Sequence, residues 1–297
     1  MCDGRLAVLA ALTLALLATA AQAEAPKPDG LPNPFYAMDT AFQRPGLTQA
    51  QQFELVKELG YAGIGWHDEA PERAKANAEA MEKLGLKMSA IYCAGKATPQ
   101  GELTCSPKLP ELVAALKGHG TIIWLHIGGQ GPAFDALTGQ EPLVKTLREL
   151  SDTAAANGLR IAIYPHVGEW TAAFANAVKL AKVVNHPQFG VSFNLCHALA
   201  MGEEEAIPAL LDQAKAVLVT ATICGADAGV KGGDWGRLIQ TLDKGTYDVG
   251  IVLRKLRQIG FTGPVGFQGY AIKGDARSIL APTMEAWRKL SAAAAQP

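Results

Sequence analysis

From residue 35 onward, short and almost wholly apolar runs alternate with longer stretches in which apolar residues recur at helical spacing. The apolar runs lie at 35–39, 61–66, 87–93, 121–126, 160–164, 190–195, 217–223 and 265–268. Runs of this length without strict alternation predict strands buried on both faces, as in a parallel sheet. The intervening stretches predict helices over 47–59, 71–84, 110–117, a segment closing near Asn157 and Gly158, then 171–184, 203–215, 249–259 and 276–290. Gly60 and Gly85 stand where the first two should stop, the position at which a left-handed residue ends a helix. Strand and helix alternate strictly through eight units, which predicts a single (β/α)8 barrel, an α/β fold, over residues 35–292.

Composition agrees with one large core: of 297 residues, 49% are hydrophobic and 19% charged. The formal net charge of -1 gives no electrostatic footprint for nucleic acid or an anionic membrane. The beginning of the chain reads differently. Residues 6–20 are nearly all apolar, Arg5 precedes them, and Ala21-Gln22-Ala23 offers a small-residue cleavage site. Residues 1–23 are therefore expected to be a secretory signal peptide, too short for a comfortable membrane span, with the mature chain exported to the periplasm or secreted. Cys2 precedes the apolar run and is no lipid-attachment cysteine, so no membrane contact is expected after cleavage. Residues 24–34, rich in Pro, Gly and charge, are expected to be a flexible lead-in. In an oxidising compartment Cys93 and Cys105, flanking a Gly/Pro-containing loop, are the expected disulfide, whereas Cys196 and Cys224 read as buried thiols.

Chemistry in such a barrel gathers at the C-terminal ends of the strands. Those ends carry Asp39, Trp66 with His67, Tyr92, His126, Tyr164 with His166, Asn194 with His197, Thr220 or Thr222, and Gln268 with Tyr270. Four of the six histidines are among them. The connection 225–248, with Asp227, Lys231, Asp234, Trp235, Lys244 and Tyr247, is long enough to lie over that face. Gly128-Gly129-Gln130-Gly131 lacks both the dinucleotide fingerprint and the P-loop lysine, so no nucleotide cofactor is expected. Lys273, just beyond the last strand, is a candidate substrate contact, and Asp275 a helix N-cap.

Three strand endings, Ile163-Tyr-Pro-His166, Phe193-Asn-Leu-Cys-His197 and Gly266-Phe-Gln-Gly-Tyr270, resemble the xylose-isomerase-like sugar isomerase/epimerase superfamily. That resemblance implies a divalent-metal site built from Glu on strand five, Asp on strand six, His on strand seven and Glu on strand eight. It also implies a substrate-lining histidine at His197. The sequence departs from this pattern: Tyr164, Asn194 and Gln268 occupy the three carboxylate positions, and strand seven offers threonines. Neutral amides lack the charge that hard cations require, and an amide accepts no proton. Two routes remain open. His126, His166 and His197 could hold zinc or manganese with an open position. Alternatively His166 and His197 work as acid and base, with Tyr164 as donor to a developing oxyanion. Trp66, Asn194, Gln268, Tyr270 and Lys273 are then the substrate-binding set. The expected function is an exported isomerase/epimerase-like enzyme moving a proton next to a carbonyl, in isomerisation, epimerisation or elimination, on a non-phosphorylated sugar or keto-glycoside. The alternative is a non-catalytic carbohydrate-binding protein on a degenerate barrel. An endonuclease would need more charged ligands and a basic face.

Overall fold

The structure, a computed structural model, describes residues 30–43, 46–67 and 70–296. Its parallel strands are β1 (Phe35–Met38), β2 (Gly63–Trp66), β3 (Lys87–Ala97), β5 (Ile122–Gly129), β6 (Arg160–Ile163), β7 (Phe189–Asn194), β8 (Leu218–Ile223) and β9 (Val265–Phe267). They pair in chain order, and β1 closes the ring by pairing with both β2 and β9. A short strand, β4 (Leu103–Cys105), adds antiparallel to the end of β3. The surrounding helices are α1 (Gln49–Leu59), α2 (Pro71–Lys83), α3 (Leu109–Ala115), α4 (Pro142–Ala156), α5 (Phe174–Val184), α6 (Leu195–Ala200), α7 (Ile207–Ala214), α8 (Trp235–Leu238), α9 (Gly250–Gln258) and α10 (Ala276–Ala295). The predicted (β/α)8 barrel is thus observed as a closed eight-stranded ring.

Local signals account for the helix ends. Thr48 and Gln51 form a reciprocal capping box at the start of α1, a device worth about 1 kcal/mol. Gly60 ends the same helix at φ 89°, a conformation costly for any residue with a Cβ.

Two apolar layers follow from strand alternation. Inside the ring lie Tyr36, Met38, Ala90, Ile122, Trp124, Ala162, Tyr164 and Val219. Their aromatic rings interlock: Trp124 is 5.9 Å from Tyr36, 5.0 Å from Tyr92 and 5.1 Å from Tyr164 between centroids. Rings of this size leave no space beside them. A Cβ on Gly266 would lie 2.3 Å from the Tyr36 ring, so β9 must carry glycine there. Between strands and helices lies the larger layer, which includes Phe53, Trp66, Phe193 and Leu253.

Two sequence expectations change at this level. Of the cysteines expected to form a disulfide, Cys93 lies on β3 and Cys105 on β4, which pairs with the end of the same strand. The third and fourth parallel strands run further than their apolar runs, pairing as far as Ala97 with Gly129, so part of the glycine-rich segment is strand. The end of the expected lead-in is packed, not loose. Leu31 donates its N–H to Ser291 Oγ at 2.7 Å, and Asn33 Nδ2 donates to the carbonyls of Phe261 and Gly263. The expected signal peptide lies outside the described residues. Among the described residues no helix is long and apolar enough to cross a membrane.

Candidate active site

At the C-terminal mouth of the barrel, Thr40, His67, Tyr92, Tyr164, His166, His197, Trp235, Ile239, Gln268 and Tyr270 enclose a cavity of about 250 Å³. Among the described residues no lysine, arginine or carboxylate lines it directly.

Its centre is the Tyr164 hydroxyl. Tyr164 follows β6, is held by its N–H to Leu125 O, and is 1% exposed. Three donors converge on its oxygen: Tyr92 O–H at 3.2 Å, Asn194 Nδ2 at 2.5 Å and Gln268 Nε2 at 3.3 Å. The Gln268 amide is oriented from behind, because its Oε1 accepts from Thr40 Oγ1 at 3.0 Å and from the Tyr270 N–H at 3.2 Å. Asn194 Oδ1 likewise accepts the Cys196 thiol at 3.2 Å. With its lone pairs engaged, the Tyr164 hydroxyl has its own proton left to offer a ligand in the cavity. Burial pushes its pKa above that of an ordinary phenol, and the hydrogen bonds from Tyr92, Asn194 and Gln268 offset this only in part. It is a neutral donor.

The histidines divide by environment. His197, on α6, is 4% exposed, and burial, with His166 beside it, pulls its pKa down to about 3. Its Nδ1 accepts the Val167 N–H at 3.3 Å, which places the proton of the neutral ring on Nε2. His197 therefore accepts through Nδ1 and has Nε2–H left to donate. The ring of His166 stacks obliquely 4.4 Å away, and Trp235 meets His197 edge-on at 5.3 Å. His166 directs Nδ1 to Val167 O at 3.0 Å, leaving the Nε2 lone pair available, and burial lowers its pKa as well. His126 stands 6.4 Å from His166 and faces Glu169 Oε1 at 3.4 Å, outside the cavity wall.

His67 carries a different partner. Its Nδ1 bonds the carboxylate of Asp39, which is fully buried and also accepts the His67 N–H at 3.0 Å and Gln43 Nε2 at 2.7 Å. The ring lies flat on Tyr92 with centroids 4.0 Å apart. A carboxylate that receives Nδ1–H fixes the tautomer and leaves Nε2 as a proton acceptor. Asp39 directly follows β1 and His67 directly follows β2; the parallel register pairs Met38 with Gly65 and brings the two ends together. Sequence analysis placed both at strand ends without giving either a role. The signal that could have found them is Asp39 itself, a carboxylate closing an apolar strand.

Tyr164, His166, His197, Gln268 and Tyr270 thus come together as expected, with Asn194 directly behind them. Three assigned residues do not join them. Trp66 points into the helix layer, edge-on to Phe53 at 5.6 Å, because its neighbour Gly65 faces the interior aromatics. Lys273 lines a separate rim depression beside Lys244 and Gln240. His126 is turned to Glu169.

Nor do the residues present fit a divalent ion. The inherited ligand positions hold Tyr164, Asn194 and Gln268, already satisfied by one another around the phenol oxygen. Hard cations need anionic oxygen, and zinc needs at least three converging His, Cys or carboxylate donors. Nδ1 of His166, His197 and His126 is turned to Val167 O, Val167 N–H and Glu169 respectively. Among the described residues no three His, Cys, Asp or Glu side chains are grouped closely enough to hold a metal.

Comparison with known proteins places the chain. The structure of IOLI protein with a binding zinc atom superposes with a TM-score of 0.70 at 18% identity, over 87% of this chain and 98% of that one. L-ribulose 3-epimerase gives 0.63 at 13% identity, over 88% and 95%. The apo form of 3-keto-D-glucoside 4-epimerase, YcjR, from E. coli gives 0.59 at 15%, over 86% and 99%. At these identities the likeness is one of fold. No curated protein sequence matches. The sequence model of the xylose isomerase-like TIM barrel family matches residues 53–290, most of the chain, and the chain belongs to that family.

Proposed function

We propose that this protein is an isomerase/epimerase-like enzyme acting on a non-phosphorylated sugar or keto-glycoside, exported to the periplasm or secreted, and that it moves a proton on the carbon next to a carbonyl. The observation that carries this reading is the buried Asp39 carboxylate bonded to the more exposed His67 ring, which lines a cavity whose other described lining residues are neutral donors, aromatic rings and one Ile. His67 Nε2 takes the proton from the carbon. The electron pair passes onto the carbonyl oxygen, where Tyr164 O–H and His197 Nε2–H stabilise the enediolate. The proton returns from His67 to the same or the neighbouring carbon. Gln268 and Tyr270 orient hydroxyls. The described wall offers hydroxyl, amide and imidazole groups, the partners of an uncharged sugar. Neighbours in fold that act on ketoses and on a 3-keto-glucoside support the substrate class.

Deuterium uptake from D2O into a panel of ketohexoses and 3-keto-glycosides, followed by NMR, tests the proposal. The wild type should exchange one carbon-bound hydrogen on at least one member. His67→Gln should slow this by about 10²–10⁴-fold, the usual contribution of a positioned general base. Saturable calorimetric binding with no exchange on any member would replace the enzyme by the carbohydrate-binding alternative.

A further inference from the structure

The opposite mouth of the barrel holds a second cavity, of about 430 Å³. It lies at the N-terminal ends of the strands, where Lys87 opens β3, Arg160 opens β6 and Ile122 opens β5. Ile122 and Val219, the lowest residues of the interior layer, form its apolar floor, with Pro264 at the side. The interlocked rings of Tyr36, Trp124 and Tyr164 lie between this floor and the candidate active site.

Its polar groups are unusual for a position that normally serves stability alone. Two cations, Lys87 and Arg160, line the space, and among the described residues no carboxylate does. Elsewhere on the surface Arg237, Arg254, Lys255 and Arg277 are each paired with an acid. The side chains of Lys87 and Arg160, in contrast, make no hydrogen bond or ion pair to any described residue. Ser89 is 6% exposed, lines the same cavity, and its hydroxyl also has no partner among the described residues. Part of the hydration of Arg160 is lost to its surroundings, which lowers its pKa from the ordinary guanidinium value. Gly120, at φ 62°, leaves the Lys87 ammonium the room that a side chain would take, since a Cβ there would stand 2.9 Å from Nζ.

Two uncompensated cations and a buried hydroxyl over an apolar floor form a receptor for one kind of ligand. We propose that the N-terminal mouth binds a small organic carboxylate with an apolar body, its charged end held by Lys87, Arg160 and Ser89 and its body resting on Ile122 and Val219. The charged hydrogen bonds supply orientation and the floor supplies burial, the division of labour usual in small-molecule sites. The site is independent of the chemistry at the other mouth.

Benzoate and its neutral isostere benzamide are the probes. In a titration followed by amide NMR on the intact protein, benzoate should shift resonances around Ala62, Gly120 and Val219. Benzamide at equal concentration should not. The double variant Lys87→Met/Arg160→Met should weaken benzoate at least tenfold, while Lys87→Arg, which keeps the charge, should retain it. Both side chains reach solvent, so the thermal midpoint should change little and binding can be compared in folded protein. Equal binding of benzamide, unchanged affinity in the double variant, or shifts confined to the His67 and His197 end would each overturn the proposal.

Discussion

His197 shows how position changes what one imidazole can do. Exposed, it would titrate near pH 6.5; buried against Tyr164 and Trp235 it stays neutral until about pH 3. A folded-state pKa below the unfolded value means that the unfolded chain takes up the proton first as the pH falls. The stabilisation is therefore complete above about pH 6.5 and is lost progressively down to about pH 3. By that linkage His197 should cost the native state roughly 3 kcal/mol between pH 7 and pH 4. Urea unfolding at the two pH values measures it. His197→Gln, which keeps a donor and cannot charge, should show a distinctly smaller loss; an equal loss in both proteins would assign the acid sensitivity to other groups. His67 differs through its partner, since the buried carboxylate of Asp39 holds Nδ1 and leaves Nε2 to work.

At the scale of elements, register does what no single residue announces. Asp39 and His67 are 28 positions apart, and they meet because β1 and β2 pair in parallel with Met38 opposite Gly65. The same ladders set the glycines. Gly266→Ala should destabilise the barrel by about 1–3 kcal/mol, the range for overpacking a filled core, because its methyl would enter the Tyr36 ring. Thermal unfolding of that variant beside Gly260→Ala, where no atom lies within 4 Å of the added carbon, separates crowding from backbone strain. If crowding governs, Gly266→Ala loses clearly more. These elements also mark what the sequence discloses. The alternation of apolar runs and amphipathic stretches announces the barrel, since each strand must be buried on both faces. The hydrogen-bonded group of Tyr164, Asn194 and Gln268 is announced by strand-end position. The three-residue β4 is too short for any periodicity, and the extension of β3 through Gly95 and Lys96 carries no apolar signal. Trp66 misleads because the side a strand residue faces depends on parity, and Gly65 supplies no side chain from which to read it.

Over the described residues, the barrel carries one mouth lined by neutral groups and one lined by cations, separated by an aromatic layer. The C-terminal mouth holds a buried carboxylate already committed to His67 and a phenol at a position where the sequence resemblance implies a metal-binding carboxylate. If Tyr164 fills that position, divalent ions have no purchase on the native state and cannot bias its stability. A ligand present at a hundred times its dissociation constant contributes about 2.7 kcal/mol, which in a chain of this size raises the melting temperature by several degrees. Exhaustive chelation followed by millimolar zinc, manganese or magnesium should therefore move the melting temperature by less than about one degree and leave deuterium exchange at its original rate. A rise of several degrees with any one ion, or exchange that vanishes on chelation and returns with the ion, would mean that Tyr164 gives way and that the three neutral groups rearrange around a metal. The charge-restoring variant Asn194→Asp sharpens the comparison. An aspartate against the Tyr164 phenol supplies the anionic oxygen the site now lacks, so any latent affinity should rise in that variant before it appears in the wild type.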